Sequence, residues 1–288
     1  MKEWLSHLLV GLAALVVVGI IAAWIVGGDL SEPAMHAIGR PPRELSVTNV
    51  TFASGNGTLV HGWIAQGEPG KGVVLLLHGV RADRRAMLGR AEFLNALHYT
   101  VLLIDLQAHG ETRGARITFG DRESQDVTAA IEYLRFQLPN ERIGVVGVSL
   151  GAAAFVLADK RPPVAAVVLE SMYPTIQDAV TNRLRLHVGA LGPLFTPLLF
   201  MQMRPRLELD PQKLRPIDRV NHIGAPVLIL NGTLDRRTTL EEARAIFSAA
   251  SEPKQFWAVE GAGHVDLHAF AKAEYERRVG EFLAAQLR

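Results

Sequence analysis

The chain has 288 residues, 49% of them hydrophobic and 20% charged, which is enough for a sizeable core and excludes a disordered or fibrous protein. Its 30 basic and 29 acidic residues leave a formal net charge of +1, and no Lys/Arg run is interleaved with aromatics, so nucleic acid is excluded as a partner. It has no cysteine, which removes disulfides, thiolate nucleophiles and cysteine-ligated zinc together and leaves the compartment open.

The first feature along the chain is 8–26 (LLVGLAALVVVGIIAAWIV), nineteen residues without a charge. About 20 apolar residues span the hydrocarbon core as a helix, whereas the apolar stretch of a cleaved signal peptide is only ~7–15 residues and is followed closely by a small-x-small site. The first such site past the segment is Ala37-Ile38-Gly39, too far downstream. Trp4 and Trp24 sit near the two ends, as interfacial aromatics do. Residues 1–27 are therefore expected to be a retained, single-pass membrane anchor. Lys2 precedes it and no Lys or Arg follows until Arg40, so the positive-inside rule points to an exported main domain. The glycines and prolines of 28–43 read as a linker.

Residues 44–288 read as the globular domain. In ELSVTNVTFASGNGTLVHGWIAQG, apolar and polar residues alternate on both sides of Gly55-Asn56-Gly57, which is a hairpin signal. Five short apolar runs follow, 72–79 (GVVLLLHG), 100–106 (TVLLIDL), 142–149 (RIGVVGVS), 164–171 (VAAVVLES) and 225–232 (APVLILNG), each suited to a strand buried on both faces. Between them, 83–98, 121–138 and 239–250 carry apolar residues at helical spacing, and a last helix is expected over 269–287. Strands alternating with helices predict an α/β class with a mostly parallel sheet flanked by helices.

No strand is legible between 173 and 216, where 188–203 (VGALGPLFTPLLFMQM) is apolar and uncharged. It is short and interrupted by Pro193 and Pro197, so a helical cap inserted over the sheet is expected rather than a second span. Leu191, Leu194, Phe195, Leu198, Leu199, Phe200 and Met201 would then lie above the site as a surface for an acyl chain, the plainer alternative being that they point wholly into the core.

Gly147-Val148-Ser149-Leu150-Gly151 is G-x-S-x-G, at the end of an expected buried strand and the start of an expected helix. The glycines leave room for a sharp turn that presents Ser149; a serine N-cap beside packing glycines is the plainer alternative. A serine hydroxyl needs a base, and the base needs a carboxylate to hold it. Asp235 follows the strand APVLILNG and His264 follows QFWAVEG, both just past carboxyl ends of strands, where catalytic groups of open parallel sheets gather. The order is Ser149, Asp235, His264. Glu170, at the end of VAAVVLE, is the competing carboxylate.

From about residue 45 to the end, the chain resembles the α/β-hydrolase fold family, and within it the membrane-anchored α/β-hydrolase-domain serine hydrolases. The shared motifs stand in family order: LLLHG, LLIDLQAHGET, GVSLG, LESMYPT, VLILNGTLD and GAGH. One departure is Leu106-Gln107-Ala108 before His109-Gly110, where relatives often have an Arg-Gly pair. The resemblance implies an oxyanion hole built from the backbone N–H groups of Val80 and Leu150. It also makes His78 and His109 loop-shaping residues. His264 and His268 are four apart, but without an HExxH pattern or a third ligand no metal site is expected.

These readings converge on a membrane-anchored serine hydrolase that cleaves a carboxylic ester or thioester, of small-molecule or lipid-like acyl type, through an acyl-enzyme and without a cofactor. An amidase or peptidase with the same triad, or a non-catalytic binding protein of this fold, is the alternative.

Overall fold

The computed structural model describes residues 2–41 and 45–287; Glu44, where the globular domain is expected to begin, lies outside the described residues. The chain opens with helix α1 (Lys2–Ser31) and a short strand β1 (Ala34–Met35), followed by β2 (Val47–Ala53) and β3 (Leu59–Ala65). The sequence continues through β4 (Val73–Leu77), α2 (Leu88–Ala96), β5 (Thr100–Ile104), β6 (His109–Gly110), α3 (Glu123–Gln137), β7 (Ile143–Val148), α4 (Leu150–Leu157) and β8 (Ala166–Glu170). The inserted helices α5 (Ile176–Val188), α6 (Thr196–Met201) and α7 (Met203–Leu207) come next. Then β9 (Val227–Gly232), α8 (Leu240–Ala249), β10 (Lys254–Val259), α9 (Leu267–Phe270) and α10 (Lys272–Leu287) complete the fold.

Eight strands form one sheet in the order β2-β3-β5-β4-β7-β8-β9-β10. The hairpin pairing β2–β3 and the pairing β3–β5 are antiparallel, and every pairing from β5 to β10 is parallel. The hairpin closes at the glycines, with Ser54 N–H donating to Thr58 O at 2.9 Å. Each apolar run alternates its side chains between two buried layers. Val73, Leu75 and Leu77 of β4 enter one layer with Val145, Val167 and Ile229, while Val74 and Leu76 enter the other with Val146, Val168 and Leu230. Such runs lack polar residues because both faces are covered by helices.

All eight residues of α4 are buried. A helix this apolar on every side belongs inside a domain, and its alanines let it approach the sheet closely. Strand β4 lies between β5 and β7, so the chain leaves it towards one edge and resumes on its other side. In an open α/β sheet, that switch opens a crevice at the carboxyl ends of the strands.

Among the described residues two helical segments, Ser6–Ser31 and Ile176–Met201, are long and apolar enough to cross a membrane by length and composition. In α1 the side chains of Val10, Val18 and Ile25 are each more than half exposed, at 68%, 62% and 58%. Its carboxyl end is docked on the domain. Gln202 Nε2 donates to Ala23 O at 2.8 Å, Arg206 Nη2 donates to Trp24 O at 2.6 Å, and Arg81 Nη1 donates to Asp29 O at 2.8 Å.

The stretch 28–43, expected as a linker, is instead held over its first part. The helix runs on to Ser31, Ile117 N–H donates to Ser31 O at 2.8 Å, and β1 pairs in parallel with β6. A two-residue strand has no periodicity to read, so only the pairing with His109 and Gly110 reveals it.

Candidate active site

Ser149 joins β7 directly to α4 and adopts φ 50° and ψ −106°, a left-handed conformation for a residue with a side chain. Holding such a residue costs of order 1–3 kcal/mol, so the surroundings must enforce it. They do so through backbone bonds: Ser149 N–H donates to Glu170 O at 2.8 Å, and Ser149 O accepts from Ala153 N–H at 3.0 Å. The side chain makes no capping hydrogen bond, which removes the plain N-cap reading.

Both flanking glycines are required by close approach. A Cβ at Gly151 would lie 2.5 Å from Leu77 O, and one at Gly147 would lie 2.7 Å from Ala152 Cα. These are backbone atoms and cannot give way.

Asp235 follows β9, and His264 lies beyond β10. Asp235 Oδ2 accepts from His264 Nδ1 at 2.8 Å, while Oδ1 accepts from the N–H groups of Arg237 at 2.8 Å and Thr238 at 2.9 Å. With Nδ1 donating to the carboxylate, Nε2 is the nitrogen free to take a proton. The two loops are tied to each other: Leu234 N–H donates to Ala262 O at 2.8 Å and Gly261 N–H to Thr233 Oγ1 at 2.9 Å. Their backbone therefore sets the Asp–His separation.

Ser149, His264 and Val80 share the lining of a cavity of ≈ 230 Å³ at the carboxyl ends of β4 and β7. Among the described residues Ser149 Oγ forms no hydrogen bond, including none to His264 Nε2; catalytic contacts in empty sites are often long and close only around substrate. The β4 loop flanks the serine, since a Cβ at Gly79 would stand 3.7 Å from Ser149 Cβ. Leu150 supplies the first N–H of α4, a position with no carbonyl one turn earlier in the helix to bond. Val80 N–H likewise has no backbone acceptor among the described residues. A larger cleft of ≈ 710 Å³, lined by Ser124, Gln125, Asp159 and Lys160, holds none of these groups.

The family model described as the Alpha/beta hydrolase family matches residues 74–278. The chain belongs to the alpha/beta hydrolase family. This alpha/beta hydrolase is 33% identical over 225 residues to an uncharacterized protein of Mycobacterium tuberculosis, covering 76% of this chain and 72% of that one. It is 25% identical over 232 residues to the uncharacterized protein YfhR of Salmonella typhimurium, covering 78% of this chain and 77% of that one. Among solved structures, an esterase of Pyrococcus furiosus superposes with a TM-score of 0.76 over 90% of this chain and 99% of that one, at 24% identity, which shows the shared fold.

Glu170, the competing carboxylate in this alpha/beta hydrolase, is buried and engaged elsewhere. Its two oxygens accept from Arg90 Nε at 3.0 Å and Arg90 Nη2 at 2.7 Å, and Tyr275 Oη donates to it as well. Arg90 also pairs with Asp266 at 2.9 Å, and Asp266 caps α9 just past His264. This buried network carries no sequence signal, because its members are scattered from α2 to α10. His268 pairs with Glu276 at 3.0 Å.

The apolar stretch 188–203 contributes nothing to the lining of the cavity, contrary to its expected role above the nucleophile. Leu199 and Met203 pack into the core, while Leu191, Leu194 and Met201 face outward. From the inserted helices the cavity receives Arg183 instead. Helical phase decides this, and the position of α5 over the sheet could not be read from composition.

His78 is fully buried, with Nδ1 facing Gly79 O at 2.7 Å and Nε2 accepting from Leu106 N–H at 3.1 Å. Acceptance at Nε2 requires the neutral ring, with its proton on Nδ1. Burial, aided by the neighbouring His109, pushes its pKa down to about 3. In the unfolded chain an ordinary histidine binds a proton below about pH 6.5, so the unfolded state gains protons that the native state refuses. Stability present above pH 6.5 is thus lost progressively towards pH 3, by about 2 kcal/mol from this residue at pH 5. Buried Asp126, whose carboxyl is raised to about 7, acts in the opposite sense over this range, so the test is the difference between wild type and His78→Gln in urea melts: the wild type should lose about 2 kcal/mol relative to the variant between pH 7 and pH 5.

Proposed function

We propose that the protein is a serine ester hydrolase in which Ser149 is the nucleophile, His264 the base and Asp235 the orienting acid. The observation that carries this reading is that His264, bonded to Asp235 at 2.8 Å, lines the same cavity as a serine held at φ 50°. Ser149 Oγ attacks the ester carbonyl carbon as His264 Nε2 takes its proton, and the carbonyl electron pair becomes an oxyanion. The N–H groups of Val80 and Leu150 stabilise that charge, each such donor contributing roughly 2.7–4 kcal/mol in the measured case. The intermediate collapses, the bond to the alcohol breaks, and His264 protonates the leaving oxygen. Water then attacks the acyl-enzyme with the same base, releasing the acid and restoring Ser149. No cofactor enters these steps.

That the Pyrococcus furiosus neighbour is an esterase supports ester chemistry. Amide hydrolysis by the same groups is the second reading, favoured by one relative: an uncharacterized peptidase of Bacillus subtilis is 26% identical over 224 residues, although the match spans only 32% of that protein. The exposed apolar length of α1 supports tethering to a bilayer, and Lys2 before it with no Lys or Arg after it until Arg40 favours an exported catalytic domain.

A fluorophosphonate label and a series of p-nitrophenyl esters of rising acyl length test the reading directly. Covalent labelling at Ser149 with turnover of short esters is the expected result. An unlabelled serine and no turnover would leave a non-catalytic member of the fold. In the same preparation, the full-length chain should stay with membranes after carbonate washing, since an inserted helix resists what removes charge-mediated adhesion.

A further inference from the structure

The cavity around Ser149 and His264 contains two arginines that form no ion pair with any acid among the described residues. Arg183 comes from the middle of α5, and Arg237 lies two residues past Asp235 in the loop after β9. Among the described residues neither guanidinium forms an ion pair or a hydrogen bond. The nearby carboxylates are already committed. Asp235 accepts from His264 Nδ1 and from two backbone N–H groups, and Glu170 and Asp266 are both held by Arg90, at 2.7 Å and 2.9 Å.

Some exposed arginines of the molecule find an acid among the described residues, as Arg215 does with Asp218 and Arg277 with Glu274, and others, such as Arg113 and Arg236, do not; Arg183 differs from these in lining the cavity while half-buried. Arg183 is half-buried and Arg237 exposed; burial of Arg183 and the charge of Arg237 lower its hold on its proton and outweigh the opposing pull of Tyr173 and Asp235. Two like charges facing one small cavity repel each other, and an anion between them would relieve both. A guanidinium fork also matches the paired oxygens of a carboxylate or phosphate.

We infer that Arg183 and Arg237 form an anion subsite beside the nucleophile, so that the preferred substrate is an ester carrying a carboxylate or phosphate close to its reacting carbonyl. This rests on the hydrolase reading and specifies its substrate class. The rest of the lining is largely apolar, from Val80, Ala86, Met87, Val148 and Val265, so the two guanidinium groups mark one charged side of a cavity that otherwise suits hydrocarbon.

Matched ester pairs test it. One pair is the p-nitrophenyl half-ester of glutaric acid against its methyl-capped twin, with the charge on the acyl side. The other is butyryl glycerol 3-phosphate against butyryl glycerol, with the charge on the alcohol side; a long-chain acyl glycerol phosphate in neutral vesicles separates a lipid source from a soluble one. At least one charged member should exceed its neutral twin in kcat/KM by about 10- to 100-fold, the range for hydrogen bonds to charged groups. Arg183→Gln and Arg237→Gln should each reduce that ratio about tenfold or more. Ratios at or below one in both pairs, or ratios unmoved by either variant, would overturn the subsite while leaving the hydrolase reading intact.

If no ester is cleaved, the hydrolase reading falls, and calorimetric titration with monomethyl glutarate and with inorganic phosphate still decides the subsite. Binding to the wild-type chain that is lost in Arg183→Gln supports it. No binding of either anion overturns it.

Discussion

Ser149→Ala is expected to lower kcat for ester hydrolysis by about 10⁶, the loss seen when the nucleophile of a serine protease is removed, and to abolish fluorophosphonate labelling. The fold should survive the change. Ser149 Oγ bonds to no described residue, the backbone bonds to Glu170 and Ala153 do not involve the side chain, and alanine keeps the Cβ. Thermal melting followed by circular dichroism should therefore shift by no more than about 2 °C, corresponding to ~0.5 kcal/mol for a domain of this size. A variant that folds and still turns over ester at a tenth of the wild-type rate or more would remove Ser149 from the mechanism.

Asp235→Asn should lower kcat by about 10⁴, the figure known for the equivalent change in a protease triad. Asparagine can still accept from the N–H groups of Arg237 and Thr238 through its oxygen. Its amide then faces His264 Nδ1, which must accept rather than donate, and the ring proton moves to Nε2, where it blocks proton uptake from the serine. Glu170→Gln is the informative contrast. It breaks a buried bidentate pair, since Glu170 and Arg90 are exposed by only 1% and 2% in their side chains. Removing one partner of such a pair costs about 3–5 kcal/mol, so denaturant midpoints should fall sharply, while kcat per folded molecule falls far less than in Asp235→Asn. The reverse ranking of kcat losses would move the acid of the triad to Glu170.

Much of the scaffold was legible because its strands are covered on both faces. A run such as VVLLL in β4 excludes solvent on either side, and the intervening helical periodicities leave a parallel sheet as the economical arrangement. The elbow was legible for a related reason. Backbone atoms 2.5 Å and 2.7 Å from where side chains would begin force glycine at 151 and 147, and that necessity is written as G-x-S-x-G.

The choice between Asp235 and Glu170 was only partly legible. Both stand at carboxyl ends of neighbouring strands, and the deciding partner of Glu170, Arg90, lies 80 positions away in α2. Nothing in the residues around Glu170 announces that partner. The docking of 28–36 was hidden likewise, since two residues of pairing with β6 leave no periodic trace.

The sequence by itself determined what depends on local geometry or on composition: the buried strands, the glycine-flanked turn, the order of serine, aspartate and histidine, and an uncharged stretch near the amino terminus. Only the tertiary structure decided which side chains share the cavity. It bonds Asp235 to His264, binds Glu170 to Arg90, and turns the apolar residues of 188–203 away while bringing Arg183 and Arg237 in. The physical reason is distance along the chain. A strand or a tight turn is specified by residues a few positions apart, whereas the lining of a site is set by how whole elements pack, with a phase and separation that no short stretch encodes.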